Sequence, residues 1–500
     1  MMLSALLLLT AATPATSTAP PTKALPAPPP AGSTSNCLAP PFLVKQGANA
    51  YTTPKDFALT RQADANCFAW QEFISLNWTA SSAMRGQPDT TVQPSAFGTP
   101  KDTKPVVWET YKESNEVFLP GAATPPPWSS WPGNSATKVL GGMKSEVDPA
   151  PVLDLSDIGQ ASQGHPWLTA QSHYLTMYER RMNQDEFNYI VGNKLYDANV
   201  QLQFVATTPV APTSTSSMPT PLPPLGISLP DGTAATTGYG PLGSIETKAA
   251  WIELDDPKDW PRYKTSKAIV TYPPNGKPKT VTVGLVGLHI IHKTALGQQF
   301  IWATFEHVDN CPDVTQVANK TANGKYTYYN PKCDPKTDAY QCKVNANPST
   351  YKPPKPYSAP IQTVRSTPVP SRANDDVVDL NNYAWAQIRA ANPKSVYLHY
   401  MLVNTLWSNQ NTTIQPGAHT PLFAGQLSPG LDQEPVASTV LETYVQNLTC
   451  LSCHPSAPIA SVTPQSSLKI FNPATPATGT NPYASDYSFL FENAKTPPPK

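Results

Sequence analysis

Charge is scarce in this chain. Asp, Glu, Lys and Arg make up 14% of its 500 residues, against about 25% in an ordinary soluble domain. The 35 basic and 35 acidic residues cancel, and neither sign forms a long block. Electrostatic capture of nucleic acid or an anionic membrane is therefore not expected. Long apolar runs are missing as well: beyond the N-terminus no stretch is long and apolar enough to span a bilayer. There is no internal repeat and no G-x-S-x-G nucleophile turn, and GLVGLH has two glycines inside a strand pattern, not a phosphate loop.

What is present begins with MMLSALLLLTAATPATSTAP. Leu3 to Ala12 is apolar but too short to cross a membrane, and small residues follow, as in a secretory signal. No Lys or Arg precedes the run, no Ala-x-Ala site follows it, and no cysteine stands close enough for a lipoprotein. The expectation is a signal over residues 1–19, a Pro/Ala-rich linker over 20–36, and a periplasmic or secreted location. Seven cysteines suit that compartment. Cys333 and Cys342 flank a short polar loop and are expected to form a disulfide, with Cys37–Cys67 a second suggestion.

The 59 prolines imply long connecting loops. DANCFAWQEFISLNWTAS has apolar residues at helical spacing behind Asp64, a candidate N-cap. A second helical stretch is expected over 165–199, and 207–236 is low in complexity, a loop or linker. Between Gly243 and Asn310, GSIETKAAWIEL, SKAIVTY, KTVTVGLVGLHIIHKT and QQFIWATFEHV are β-branched and aromatic runs, which predict strands. TALGQ joins the last two as a hairpin. Residues 309–360 form a polar surface excursion. VVDLNNYAWAQIRAAN predicts a helix stopping at Pro393, and SVYLHYMLVNTLW another strand. A final helix is predicted from an Asp432 cap, with Gln433, Glu434 and Pro435 in its first turn and Val436, Val440, Tyr444 and Leu448 four apart. The fold class is α+β: a body over 37–430 with a β-rich centre, flanking helices and long Pro-rich loops, then a C-terminal segment, 431–500.

That last helix runs into Cys450-Leu451-Ser452-Cys453-His454, a C-x-x-C-H. Two thiols three apart share a face of a helical turn and can bond both vinyl groups of haem, while the next imidazole can ligate its iron. At this chain's cysteine and histidine frequencies, chance predicts roughly 0.002 such motifs. Structural zinc needs a second ligand pair, and no second C-x-x-C exists. A reactive thiol pair wants the positive end of a helix, whereas this one sits at a predicted C-terminal end. From Pro455 to Lys500 there is no Met and no other His, so any second axial ligand comes from upstream. His399 and Met401 rank first, because two residues apart on a predicted strand share a face. His289 and His292 should point to opposite faces, as should Glu306 and His307. No catalytic residue is assigned.

ANCFAWQEFISLNW, GSIETKAAWIEL, VGLVGLHIIHKTALGQQFIWATFEHVDN and LETYVQNLTCLSCH together resemble a family of exported bacterial proteins labelled "cytochrome c family protein". The resemblance covers most of residues 60–460. It implies one covalent haem c on Cys450 and Cys453 with His454 as axial ligand, and it supplies no settled activity or distal ligand. The leading expectation is a periplasmic mono-haem cytochrome that passes electrons between exported redox partner proteins. The alternatives are a haem enzyme acting on peroxide or another small ligand at an open distal site, and a binding module with an accessory haem. The size of the body argues against a plain shuttle, and the lack of a marked distal acid or base argues against an enzyme.

Overall fold

The structure is a computed structural model that describes residues 52–56, 61–130, 137–140, 166–206, 227–233, 238–272, 276–372, 375–407, 437–454, 457–460 and 485–498. In chain order, α1 (Gln62–Leu76) is followed by β1 (Lys112–Glu113), β2 (Lys138–Leu140) and β3 (Met177–Met182). Next come α2 (Gln184–Gly192), α3 (Ala198–Ala206), β4 (Ile245–Glu253), β5 (Thr265–Val270), β6 (Lys279–His292) and β7 (Ile301–His307). A two-stranded ribbon, β8 (Ser371–Arg372) and β9 (Asp375–Asp376), precedes α4 (Val377–Ala391) and β10 (Tyr400–Leu406). The architecture is α+β.

The four β-branched runs are strands β4 to β7. TALGQ closes the β6–β7 hairpin, with His292 opposite Ile301. Strand β6 organises the sheet. One edge pairs with β4, while the other is shared between β5, along Lys279–Gly284, and β7, along Gly287–His292. Strand β3 extends the sheet from β4, β10 extends it from β7, and the β2–β5 pair is parallel. Cross-strand partners share a face, so the register sorts every side chain. Glu179, Arg181, Trp251, His292 and Phe305 occupy the first face. Tyr178, Arg180, Lys248, His289, Thr304 and Glu306 occupy the second.

The first face carries the main core. Phe73 of α1 stacks on Phe305 at 4.3 Å, and Trp70 meets the same ring edge-on at 5.2 Å. The Trp70 indole donates to Asn381 Oδ1 of α4 at 3.0 Å, tying the two helices together. Each large apolar side chain buried here contributes about 1.5–3 kcal/mol. On the second face a smaller cluster gathers Tyr178, Ala250, Val286, Ile361, Val440 and Leu441. Val440 and Leu441 come from the C-terminal segment, so that segment is the cover of this face.

Three expectations change. The N-cap of α1 is Arg61, and Asp64 lies in its first turn, where it accepts from Arg61 Nε at 2.9 Å. There the carboxylate still meets the positive end of the helix dipole. The stretch 165–199 is not one helix but β3, α2 and the start of α3. TMYERRM is held in register by β4, and Asn183 restarts a helix by accepting from the Glu186 amide at 3.2 Å. The final helix is absent over residues 437–449, which run as successive turns; Asp432 to Val436 lie outside the described residues. Here Thr439, Glu442, Tyr444 and Gln446 bond to the sheet and its loops, and those tertiary bonds outweigh a weak local preference.

Cys333 and Cys342 form the expected disulfide. Cys67 is disulfide-bonded, and its suggested partner Cys37 lies outside the described residues, as do the expected signal and linker. Among the described residues no helix is long and apolar enough to cross a membrane.

Candidate functional site

Residues 438–454 lie across the second face and deliver the C-x-x-C-H to it. Glu306 of β7 accepts from both the amide and the hydroxyl of Thr439, and it also pairs with Arg365. The Tyr178 hydroxyl donates to the Val440 carbonyl at 2.9 Å. Gly287 is the point of closest approach: a Cβ there would stand 2.5 Å from Val440 Cγ2, so glycine is what lets the segment seat.

Beyond these anchors the chain makes a 3₁₀ turn over Cys450–Ser452, and the Cys453 amide donates to the Cys450 carbonyl at 3.2 Å. Neither Cys450 nor Cys453 is in a disulfide. The His454 ring packs against Trp302 of β7 at 4.4 Å and edge-on to Phe489 at 4.9 Å. Its Nδ1 lies 2.7 Å from the Tyr487 carbonyl oxygen. A carbonyl only accepts, so Nδ1 carries the proton. Burial lowers the ring to about 4 despite that bond, so it is neutral at ordinary pH and its lone pair is on Nε2.

The loop that supplies the carbonyl is strained and firmly held. Asp486 and Tyr487 both take left-handed backbone, with φ of 52° and 67°, at a cost of roughly 1–3 kcal/mol each. A buried ion pair from Lys293 to Asp486 fastens it, and Asp486 also accepts from the Leu229 amide at 2.7 Å. The Ser485 hydroxyl donates to the Ala457 carbonyl at 2.6 Å. An imidazole oriented by a carbonyl on one nitrogen and presenting the other is how metal-ligating histidines are set. Together with two thiols on one turn, this donor set fits covalent haem.

Polar groups of the sheet surround the turn. His289 Nε2 lies 3.0 Å from both Glu442 oxygens, and its Nδ1 is 3.1 Å from Thr304 Oγ1. Lys248 Nζ stands 3.8 Å from Glu442 Oε1. Burial alone would raise Glu442, but His289 and Lys248 hold it at about 2. His289, Lys248 and Glu442 all act electrostatically on His454.

The thiol-redox alternative loses its original objection, because no helix leads into the turn, and meets another. Burial pushes the Cys450 thiol up, with Glu442 and Cys453 adding to the rise, and a thiol so placed resists becoming thiolate. Among the described residues no group of three or more His, Cys, Asp or Glu could hold a metal ion, so a four-ligand zinc site is not among them.

His399 and Met401 are not brought to the turn. His399 ends a 3₁₀ turn, not a strand, with its ring 6.0 Å from His307. Met401 pairs with Glu306, four residues along β7 from Trp302, or about 13 Å at strand rise. His292 and His307 turn to other partners, Glu72 at 2.6 Å and the Arg262 carbonyl at 2.9 Å, and the expected opposition of His289 to His292 holds. The residues that sequence reasoning missed are Lys248 and Glu442, with His289 as their neighbour. Strand alternation could place His289 on a face, but nothing local says that residue 442 covers it. An open cavity of about 450 Å³ beside Cys333 is elsewhere, and two of its amides are engaged within the protein: Gln171 donates to the Ile361 carbonyl and Gln362 accepts from the Asn330 amide.

Compared with protein-family models, curated proteins and solved structures, the chain matches none of them.

Proposed function

We propose that this chain is an exported c-type cytochrome, carrying one haem c on Cys450 and Cys453 with His454 as axial ligand, and that it transfers electrons between exported redox partners. The observation that carries the reading is the hydrogen bond from His454 Nδ1 to the Tyr487 carbonyl, which leaves Nε2 as the metal-binding atom. Haem supplies a one-electron couple whose potential follows axial ligation and burial. This chain's residues would tether it through two thiols and orient one imidazole. Trp302 and Phe489 would keep water from that ring. The Cys333–Cys342 disulfide suits an oxidising compartment such as a bacterial periplasm.

A second reading, a haem enzyme with an open distal site, draws on the His289–Glu442–Lys248 cluster, a set of polar groups able to hold or move a proton beside the turn. One experiment tests both: visible spectra, oxidised, reduced and with carbon monoxide, of protein made with a haem-attachment system. Absence of haem absorbance sinks the proposal. Six-coordinate low-spin iron that ignores carbon monoxide supports electron transfer, and five-coordinate high-spin iron supports the enzyme. Given where His399 and Met401 pack, His399→Ala and Met401→Ala should each leave the spectrum unchanged; a change in either makes that residue a ligand.

A further inference from the structure

The cavity of about 450 Å³ beside Cys333 lies outside the C-x-x-C-H site, and three chain segments meet at it. Gln171 and His173 come from the turn before β3. Asn330 and Gln341 come from the polar excursion stapled by Cys333–Cys342, and Ser358 and Gln362 from the stretch that follows. Backbone bonds pin the segments to one another. The Ile361 amide donates to the Thr169 carbonyl at 2.9 Å, the Gln171 amide to Thr327 at 2.8 Å, and the Asn345 amide to Gln362 at 2.8 Å. The walls are therefore set before any ligand arrives.

Four of the lining side chains are tied at one end and open at the other. Gln171 donates through Nε2 to the Ile361 carbonyl at 3.2 Å, which leaves Oε1. Gln362, only 3% exposed, accepts through Oε1 from the Asn330 amide at 2.8 Å, which leaves Nε2. Asn330 accepts through Oδ1 from the Lys332 amide at 3.0 Å, which leaves Nδ2. His173 takes left-handed backbone, φ 69°, uncommon outside glycine, and its Nδ1 lies 3.0 Å from the Ser358 carbonyl oxygen. A carbonyl only accepts, so Nδ1 donates and Nε2 of the neutral ring is left as an acceptor. The side chains of Gln341 and Ser358 hydrogen-bond to no other described residue.

No Asp, Glu, Lys or Arg lines the cavity, so it offers an ion no counter-charge. It offers open donors and open acceptors together, and a hydroxyl is the ligand group that answers both. Ala359, Pro360 and the disulfide supply apolar surface for C–H groups to rest on. We propose that this cavity binds a neutral sugar through the open ends of these six polar side chains. Its volume lies within the range of small-molecule sites, about 300–1,000 Å³. The inference shares no residue with the haem reading, so either can fail alone.

The test is saturation-transfer NMR and calorimetry on the disulfide-bonded protein. The probes are glucose, galactose, N-acetylglucosamine, cellobiose, lactose and chitobiose, beside N-acetylglycine amide and inorganic phosphate. At least one sugar should bind. Gln341→Ala and Ser358→Ala remove no side-chain hydrogen bond within the described residues. Each should weaken that sugar about 3–10-fold with the urea midpoint unchanged. Cys450→Ser/Cys453→Ser should bind it as wild type does. No signal from any of the sugars at millimolar concentration, or binding that both single variants leave unchanged, would overturn the assignment. So would tighter binding of N-acetylglycine amide or phosphate than of every sugar, which would make the cavity a peptide or an anion site.

Discussion

On the first face of the sheet, Arg181 reaches Glu113 at 2.5 Å and Glu179 at 2.8 Å. Lys138 bridges Glu109 and Glu179 at 2.9 and 2.8 Å, Lys264 completes Glu109 at 2.9 Å, and Trp251 lies 4.6 Å from the Lys138 ammonium. Glu109, Glu113 and Glu179 thus meet Lys138, Arg181 and Lys264 in a closed set. Burial would push Glu179 up, but Arg181 and Lys138 hold it at about 2. One residue before Arg181, on the second face, Arg180 has Lys248 opposite it and no acid bonded to it among the described residues. On one face of β3 the charge network is therefore complete within the body, while on the other the charge pairing is completed from the C-terminal segment, by Glu442 3.8 Å from Lys248. The first pairing depends on the body alone, and the second on the docking of residues 438–442.

The comparison predicts that damage to the two faces separates into different readouts. The largest effect should come from Cys450→Ser/Cys453→Ser. All covalent haem should be lost on a denaturing gel stained for haem, with the urea midpoint of the haem-free chain unchanged; retained haem would refute the attachment site. On the first face, Glu179→Ala should do the reverse, since it strands Arg181 and Lys138 without a full set of partners. The expected loss is about 3–5 kcal/mol in urea unfolding. A loss well under that would show the network to be no more than solvated surface charge, and the contrast between the faces would fail.

Next in size is a pH effect from the second face. Glu246 is raised to about 7 from an ordinary carboxyl value of 4.5, by burial first and then by Asp486. Below the ordinary value both folded and unfolded chains hold the proton, and nothing is lost. Between there and about 7 the unfolded chain has released a proton that the folded chain keeps. Stability therefore falls as pH rises through that window, by about 3 kcal/mol in all. Glu246→Gln should lessen this dependence in urea titrations run at several pH values, the remainder belonging to Glu186, which burial also raises; an unchanged slope would assign it to other groups.

How much of this could be read from sequence depends on how local the cause is. Strands β4 to β7 are legible because β-branched runs and turn residues determine them within a few positions. The opposition of His289 to His292 follows from period two alone, and the C-x-x-C-H stands out by its spacing. The final helix misled because Val440, Tyr444 and Leu448 do lie four apart. Thr439, Glu442 and Tyr444 bond instead to Glu306, His289 and Trp167, partners more than 130 residues away in the chain. His399 and Met401 were favoured for sharing a face of a predicted strand, whereas closeness in space is set by the β6–β7 hairpin, which carries His289 and Trp302. The pairing of Lys248 with Glu442 was invisible for the same reason: neither shows anything until one lies upon the other.

The smallest predicted effect tests that docking directly. Gly287 has ordinary strand neighbours, and alanine is not excluded there by backbone conformation. Its added methyl would instead meet Val440 Cγ2 at 2.5 Å, so residues 438–442 must shift outward or β6 inward. Overpacking of this kind costs about 1–3 kcal/mol. The shift should act on the second face alone, loosening the Thr439–Glu306 and Glu442–His289 attachments while the Phe73–Phe305 stack stays as it is. In haem-free protein, Gly287→Ala should therefore speed labelling of Cys450 and Cys453 by a thiol reagent more than it lowers the urea midpoint. Equal labelling rates in variant and wild type would mean that the segment does not depend on this contact for its seat, and that the turn is positioned from the Tyr487 side alone.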